Sequence, residues 1–89
     1  MKYLHKFSAR WCQPCRMLSG NLEKIDLESL GISLVEWDVD LLDRQRLAEL
    51  KIRGVPTLIV MDADGNELAR KTGALTADEI TALIGGSNA

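Results

Sequence analysis

The chain has 89 residues with 11 basic and 13 acidic side chains, a net charge of −2, and so fits one compact domain with neither a basic stripe for nucleic acid nor a polybasic membrane patch. A domain of this size buries about 60 to 65% of its unfolded surface and folds without a metal. Met1-Lys2-Tyr3-Leu4-His5-Lys6 lacks the apolar stretch of an export signal and no apolar run approaches a membrane span, so residence in a reducing cytoplasm is expected.

Residues 2 to 9 read as a short strand with Tyr3, Leu4 and Phe7 supplying bulk, after which the chain turns at Ala9-Arg10-Trp11. Cys15, Leu18, Leu22 and Ile25 recur at helical spacing, predicting an amphipathic helix that ends before Gly31 and is weakened at Gly20. Ile32 to Val39 reads as a second strand and Asp43 to Lys51 as a short helix. Val55 to Met61 forms a third strand, with Pro56 confined to its start because it cannot donate a ladder hydrogen bond. Asp62-Ala63-Asp64-Gly65-Asn66 signals a turn into an antiparallel fourth strand, Glu67 to Thr72. Thr76-Ala77-Asp78-Glu79 matches a capping box, Ile80, Leu83 and Ile84 form the apolar face of a last helix, and Gly85-Gly86 stops it. The domain is expected to span residues 1–86, followed by a polar tail, 87–89. Trp37 and Met61 are read as core residues.

Both cysteines stand in Trp11-Cys12-Gln13-Pro14-Cys15, beside the start of the first helix. A disulfide closing so small a loop contributes only about 2 kcal/mol as a staple. In a reducing compartment a close pair points instead to catalysis or metal binding. His5, the single histidine, offers a third zinc ligand, but strand alternation puts His5 and Lys6 on opposite faces and no fourth ligand is evident. No metal or other cofactor is expected. Redox chemistry is the reading that remains.

Trp11-Cys12-Gln13-Pro14-Cys15-Arg16-Met17, followed about forty residues later by Ile52-Arg53-Gly54-Val55-Pro56-Thr57-Leu58 and then by Gly73-Ala74-Leu75, resembles thioredoxin in order and spacing over essentially the whole chain. The usual first strand and helix of the family are missing, as in short thioredoxins of phage or archaeal type. The resemblance implies an α/β fold with a minimal four-stranded mixed sheet, ordered 2-1-3-4 and flanked by three helices. It implies a thiol–disulfide oxidoreductase that cycles Cys12 and Cys15 between dithiol and disulfide. Glutaredoxin shares the length and core fold, but its motif usually carries Pro-Tyr between the cysteines, and where it has a glutathione-holding Gly-Gly and acidic residue after the proline strand this chain reads Asp62-Ala63-Asp64-Gly65 and then Gly73-Ala74-Leu75.

In that scheme Cys12 is the exposed nucleophile and Cys15 the resolving thiol. The helix N-terminus lowers the thiol pKa, yet a more stable thiolate is a weaker nucleophile, so the net rate gain is only about threefold. Placement must supply the rest. Trp11 is expected at the rim of the partner-docking surface. Pro14 fixes the first helical turn, and Gln13 replaces a glycine usual in the family. Pro56 is expected to follow a cis peptide after Val55 and to lie against the cysteines, with Gly73 and Ala74 completing a flat apolar patch. Arg10 and Arg16 are assigned no catalytic role.

The family's buried Asp, six residues before the nucleophile, is Lys6 in this chain, and its Lys partner aligns with Glu36. The pair is thus expected with its charges exchanged, or else Lys6 snorkels to the sheet edge and Glu36 lies free on the surface. A protonated Lys6 near Cys15 would favour the reduced thiolate and raise the potential above the typical thioredoxin value of about −270 mV. The expected partners are a thioredoxin-reductase-like flavoenzyme as electron donor and disulfide-containing clients such as ribonucleotide reductase, with the chain monomeric. The rival readings are a glutathione-coupled glutaredoxin and a non-catalytic partner-binding module, whose activity would survive loss of either cysteine.

Overall fold

Alternation along β1 (Lys2–Ser8) turns Leu4 and Lys6 to one face of the sheet and His5 and Phe7 to the other. A computed structural model describes residues 1–86, so the expected tail, 87–89, lies outside the described residues. After β1 come α1 (Gln13–Leu22), β2 (Ile32–Asp38), a 3₁₀ turn (Val39–Leu41), α2 (Arg44–Glu49), β3 (Thr57–Met61), β4 (Glu67–Thr72) and α3 (Ala77–Gly86). The sheet order is β2-β1-β3-β4, with β1 and β2 parallel and the other pairings antiparallel. This is the predicted topology.

Leu4, Ile32, Leu58 and Val60 on one sheet face pack against Leu18 and Leu22 of α1 and Ile80 and Ile84 of α3. Burying each such side chain contributes about 2 kcal/mol, so this layer fixes α1 on the sheet. The helix is shorter than its apolar spacing suggests. The Glu23 amide still donates to the Ser19 carbonyl, but Lys24 and Ile25 donate three residues back, to Asn21 and Leu22, and the chain leaves the helix. Ile25 nevertheless rests on the core from that turn, which is why it mimics a helical position.

At α3 the capping box is formed: the Glu79 amide donates to Thr76 Oγ1 at 3.2 Å and the Thr76 amide to Glu79 Oε1 at 3.1 Å. The Thr76 amide, and after it the Thr76 hydroxyl, hold the Glu79 carboxyl below its usual pKa. Gly85 and Gly86 lie within the helix rather than beyond its end. The turn after β3 is built by Asp62, whose Oδ1 accepts from the amides of Asp64 and Asn66 at 2.9 Å each. Arg70 on β4 donates to the carbonyls of Leu50 and Lys51, tying the end of α2 to the sheet.

On the opposite face His5, Phe7 and Trp37 stack nearly parallel. Trp37 and Met61 are half-buried walls of a cavity there, not core residues, because α2 is too short to cover the face. Burial lowers the His5 pKa from 6.5. The unfolded chain therefore takes up a proton that the folded chain resists, and the associated stability, present above about pH 6.5, is lost as the pH falls through the folded value. Melting temperatures between pH 7.5 and 5.5 should accordingly fall more steeply for the parent than for His5→Gln. Equal slopes would contradict this.

Candidate active site

The end of β1 hands the chain to α1 through a tight turn in which the Cys12 amide donates to the Ala9 carbonyl at 3.2 Å. Cys12 is the N-cap: its backbone is extended and its Sγ accepts from the Cys15 amide at 3.2 Å. Pro14 sits in the first turn, where its missing N–H removes nothing from the helix. That turn contains no carboxylate. Cys12 and Cys15 are joined in a disulfide, with Cα atoms 5.3 Å apart. Arg16 fastens the motif from outside, donating to Gln13 Oε1 at 3.3 Å and to the Arg10 carbonyl at 3.0 Å.

The expectation of an exposed Cys12 needs correction. In the disulfide form both cysteines are only 3% exposed, enclosed with Ala9 by Val39 of the 3₁₀ turn and by Val55. Beside this cluster runs a groove of about 310 Å³ lined by Trp11, Val39, Leu47, Ile52, Arg53 and Val55. Trp11, 69% exposed, stands on its rim. The indole Nε1 donates to Asp40 Oδ2 at 3.0 Å. Asp38 caps the 3₁₀ turn by accepting from the Asp40 amide and faces Arg10 at 3.8 Å. Asp40 was not singled out in the sequence; the only signal was the acidic run Asp38-Val39-Asp40.

Val55 and Pro56 are joined by a cis peptide, and Pro56 is buried while Val55 is half-exposed. The Thr57 hydroxyl donates to the Gly54 carbonyl at 2.7 Å, closing the loop from below. The Gly73 amide donates to the Pro56 carbonyl at 3.0 Å. A φ of +100° explains why glycine stands at that position. Ala74 follows, half-buried.

Lys6 points beneath α1. Its Nζ lies 2.7 Å from Glu36 Oε1 on the neighbouring strand and donates to Ser19 Oγ at 2.7 Å. Ser19 is one helical turn beyond Cys15 on the same side of α1. The ammonium is therefore buried yet satisfied, while Glu36 remains 61% exposed. Ser19 is a partner that the sequence did not disclose.

A four-stranded mixed sheet carrying a disulfide at a helix N-terminus, with a cis-proline loop beside it, defines a dithiol–disulfide oxidoreductase of the thioredoxin fold. The family model described as Thioredoxin matches residues 1–85. A thioredoxin of Chlamydia pneumoniae is 37% identical over 79 residues, covering 88% of this chain and 74% of that protein. A solved mutant thioredoxin from Halobacterium salinarum superposes with a TM-score of 0.81 at 31% identity, covering 99% of this chain and 75% of that one. The Fasciola hepatica thioredoxin structure gives 0.79 at 26% identity, with 94% and 78% covered. The chain belongs to the thioredoxin family and is a thiol–disulfide oxidoreductase. Members of the family generally work with a thioredoxin reductase and with disulfide-bearing clients. Among the described residues no helix is long and apolar enough to cross a membrane.

Proposed function

We propose that this chain is a cytoplasmic electron carrier that reduces protein disulfides with Cys12 as nucleophile and Cys15 as resolving thiol. The observation that carries the assignment of roles is the hydrogen bond from the Cys15 amide to Cys12 Sγ at the start of α1. The same amide and the helix dipole stabilise a thiolate at Cys12. That thiolate attacks one sulfur of the client disulfide, forming a mixed disulfide and releasing a client thiolate. Cys15 then attacks Cys12 Sγ, which closes the Cys12–Cys15 bond and releases the second client thiolate. Two electrons pass to the client, and a flavoenzyme of the thioredoxin-reductase class returns them.

The groove beside Val55 receives an extended client segment, with Trp11, Gln13 and Pro14 on one side and Pro56, Gly73 and Ala74 on the other. Asp40 holds the indole of Trp11 in place. Asp40→Ala should therefore slow reduction of a protein disulfide about threefold, roughly the worth of one exposed hydrogen bond, while leaving oxidation by a small disulfide unchanged. Equal slowing of both reactions would place Asp40 in the chemistry instead. Ribonucleotide reductase is one client of suitable chemistry.

The donor is tested by supplying the oxidised protein with NADPH and either a thioredoxin reductase or glutathione plus glutathione reductase. Rapid re-reduction in the first arm alone is expected. Preference for glutathione would overturn the donor assignment.

A further inference from the structure

Opposite α1, between the sheet and α2, lies a cavity of about 220 Å³ whose lining includes His5, Phe7, Trp37, Met61, Leu50 and Arg46. None of these residues belongs to the disulfide cluster. The floor is flat and aromatic: Trp37 is 9° from parallel with both His5 and Phe7, with ring centroids 6.2 and 6.1 Å apart. The side-chain polar groups on the wall that are left unspent are donors. Trp37 Nε1 can only donate, so the His5 Nδ1 it reaches at 3.0 Å must accept, and the proton of the neutral ring resides on Nε2. The Arg46 guanidinium has no hydrogen bond or ion pair with the described residues, and the nearby Asp43 spends Oδ1 on capping the Arg46 amide. No carboxylate lines the cavity.

We propose that this cavity is a binding site for a small aryl carboxylate. An apolar cavity of about 150 Å³ already holds a benzene ring, so the volume here takes one ring with a short acidic substituent. The ring stacks on the aromatic floor. The carboxylate, an acceptor only, meets the His5 Nε2 proton and the guanidinium of Arg46, for which a fork of donors is well matched. A neutral molecule of the same shape would gain the stacking and lose the charge-assisted bonds. This site is independent of the redox chemistry, and its failure would leave that reading intact.

The test is a titration of the ¹⁵N-labelled full chain, oxidised, with benzoate and with benzamide at constant ionic strength, following the Trp37 indole N–H. A saturable shift with benzoate at millimolar concentration, about fivefold weaker binding of benzamide and a similar loss in Arg46→Gln are expected for one charge-assisted bond at a partly solvated site. The untouched fingerprint of the remaining amides verifies that Arg46→Gln is folded. Benzamide binding as tightly as benzoate, or no saturable shift with either, would overturn the proposal. So would an indole shift that depends on protein concentration without additive, which would mean that a second copy covers this face.

Discussion

Cys12→Ser is expected to reduce the rate of protein-disulfide reduction to that of the uncatalysed reaction, whereas Cys15→Ser should still attack once and then stall. The distinction follows from the geometry at the start of α1. The Cys15 amide faces Cys12 Sγ, so position 12 is where a thiolate is stabilised, while Cys15 is placed to strike the sulfur of its neighbour from within the same turn. Well-oriented intramolecular reactions reach effective molarities of about 10⁵ M. Millimolar external thiol cannot replace that, and the mixed disulfide between Cys12 and the client should accumulate in Cys15→Ser. Non-reducing electrophoresis and mass spectrometry of the trapped species would verify it. Accumulation in Cys12→Ser instead would reverse the assignment, and retention of partner binding without any reduction in the parent would favour a binding module.

The second large effect is expected at the Lys6–Glu36 pair, and it is asymmetric. Lys6 is 7% exposed and Glu36 61%, so only one of the two charges is withdrawn from water. Glu36→Gln removes the counter-charge and leaves the buried ammonium only neutral acceptors, Ser19 Oγ and an amide oxygen, and should cost about 1 to 3 kcal/mol. Lys6→Met removes the buried charge altogether and leaves a glutamate that water already solvates, so its cost should be under about 1 kcal/mol. Urea unfolding of both variants tests the order. The redox potential should separate them as well: the Lys6 ammonium meets α1 at Ser19, one turn beyond Cys15, so without Lys6 the reduced thiolate loses the field of that cation and the potential falls, and without Glu36 that cation is no longer offset and the potential rises. About 30 mV corresponds to 1.4 kcal/mol for this two-electron couple, and shifts of about 10 to 30 mV are expected. An unchanged potential in Lys6→Met would remove Lys6 from the mechanism. Equal destabilisation by the two substitutions would contradict the asymmetry of burial.

The fold was legible wherever local pattern and tertiary role coincide. Leu58 to Met61 is continuously apolar because β3 is buried along nearly all its length, and the Asp62–Asn66 turn is built by the side chain that its composition suggested. Pattern misled at Ile25, which serves the core from a turn and so extends the apparent helix by a position it does not occupy. At Gly85 and Gly86 glycine's weak helix propensity suggested a stop, yet both lie within α3. Trp37 and Met61 look like core by composition and become cavity walls because α2 spans only Arg44–Glu49.

At the active site, the cysteine pair could be found from residue types and spacing at a helix start, whereas the proline loop and Gly73 were legible only through the resemblance to thioredoxin. The contacts that bridge elements could not be found either way. The bond from Trp11 to Asp40 joins residues 29 apart in the chain, and that from Lys6 to Ser19 joins residues 13 apart. Enclosure of Cys12 depends on Val39, which the 3₁₀ turn after β2 brings over the disulfide, whereas the sequence suggested a strand running through it.

The most direct measurement of reversible electron transfer is a single turnover. The protein, reduced by a small dithiol and freed of it, is mixed with an equimolar disulfide-bonded polypeptide, and the remaining thiols are alkylated and counted by mass. One Cys12–Cys15 bond should close for each client bond that opens, and fresh dithiol should restore both thiols. A client that stays oxidised while Cys12 and Cys15 remain alkylatable would contradict the account.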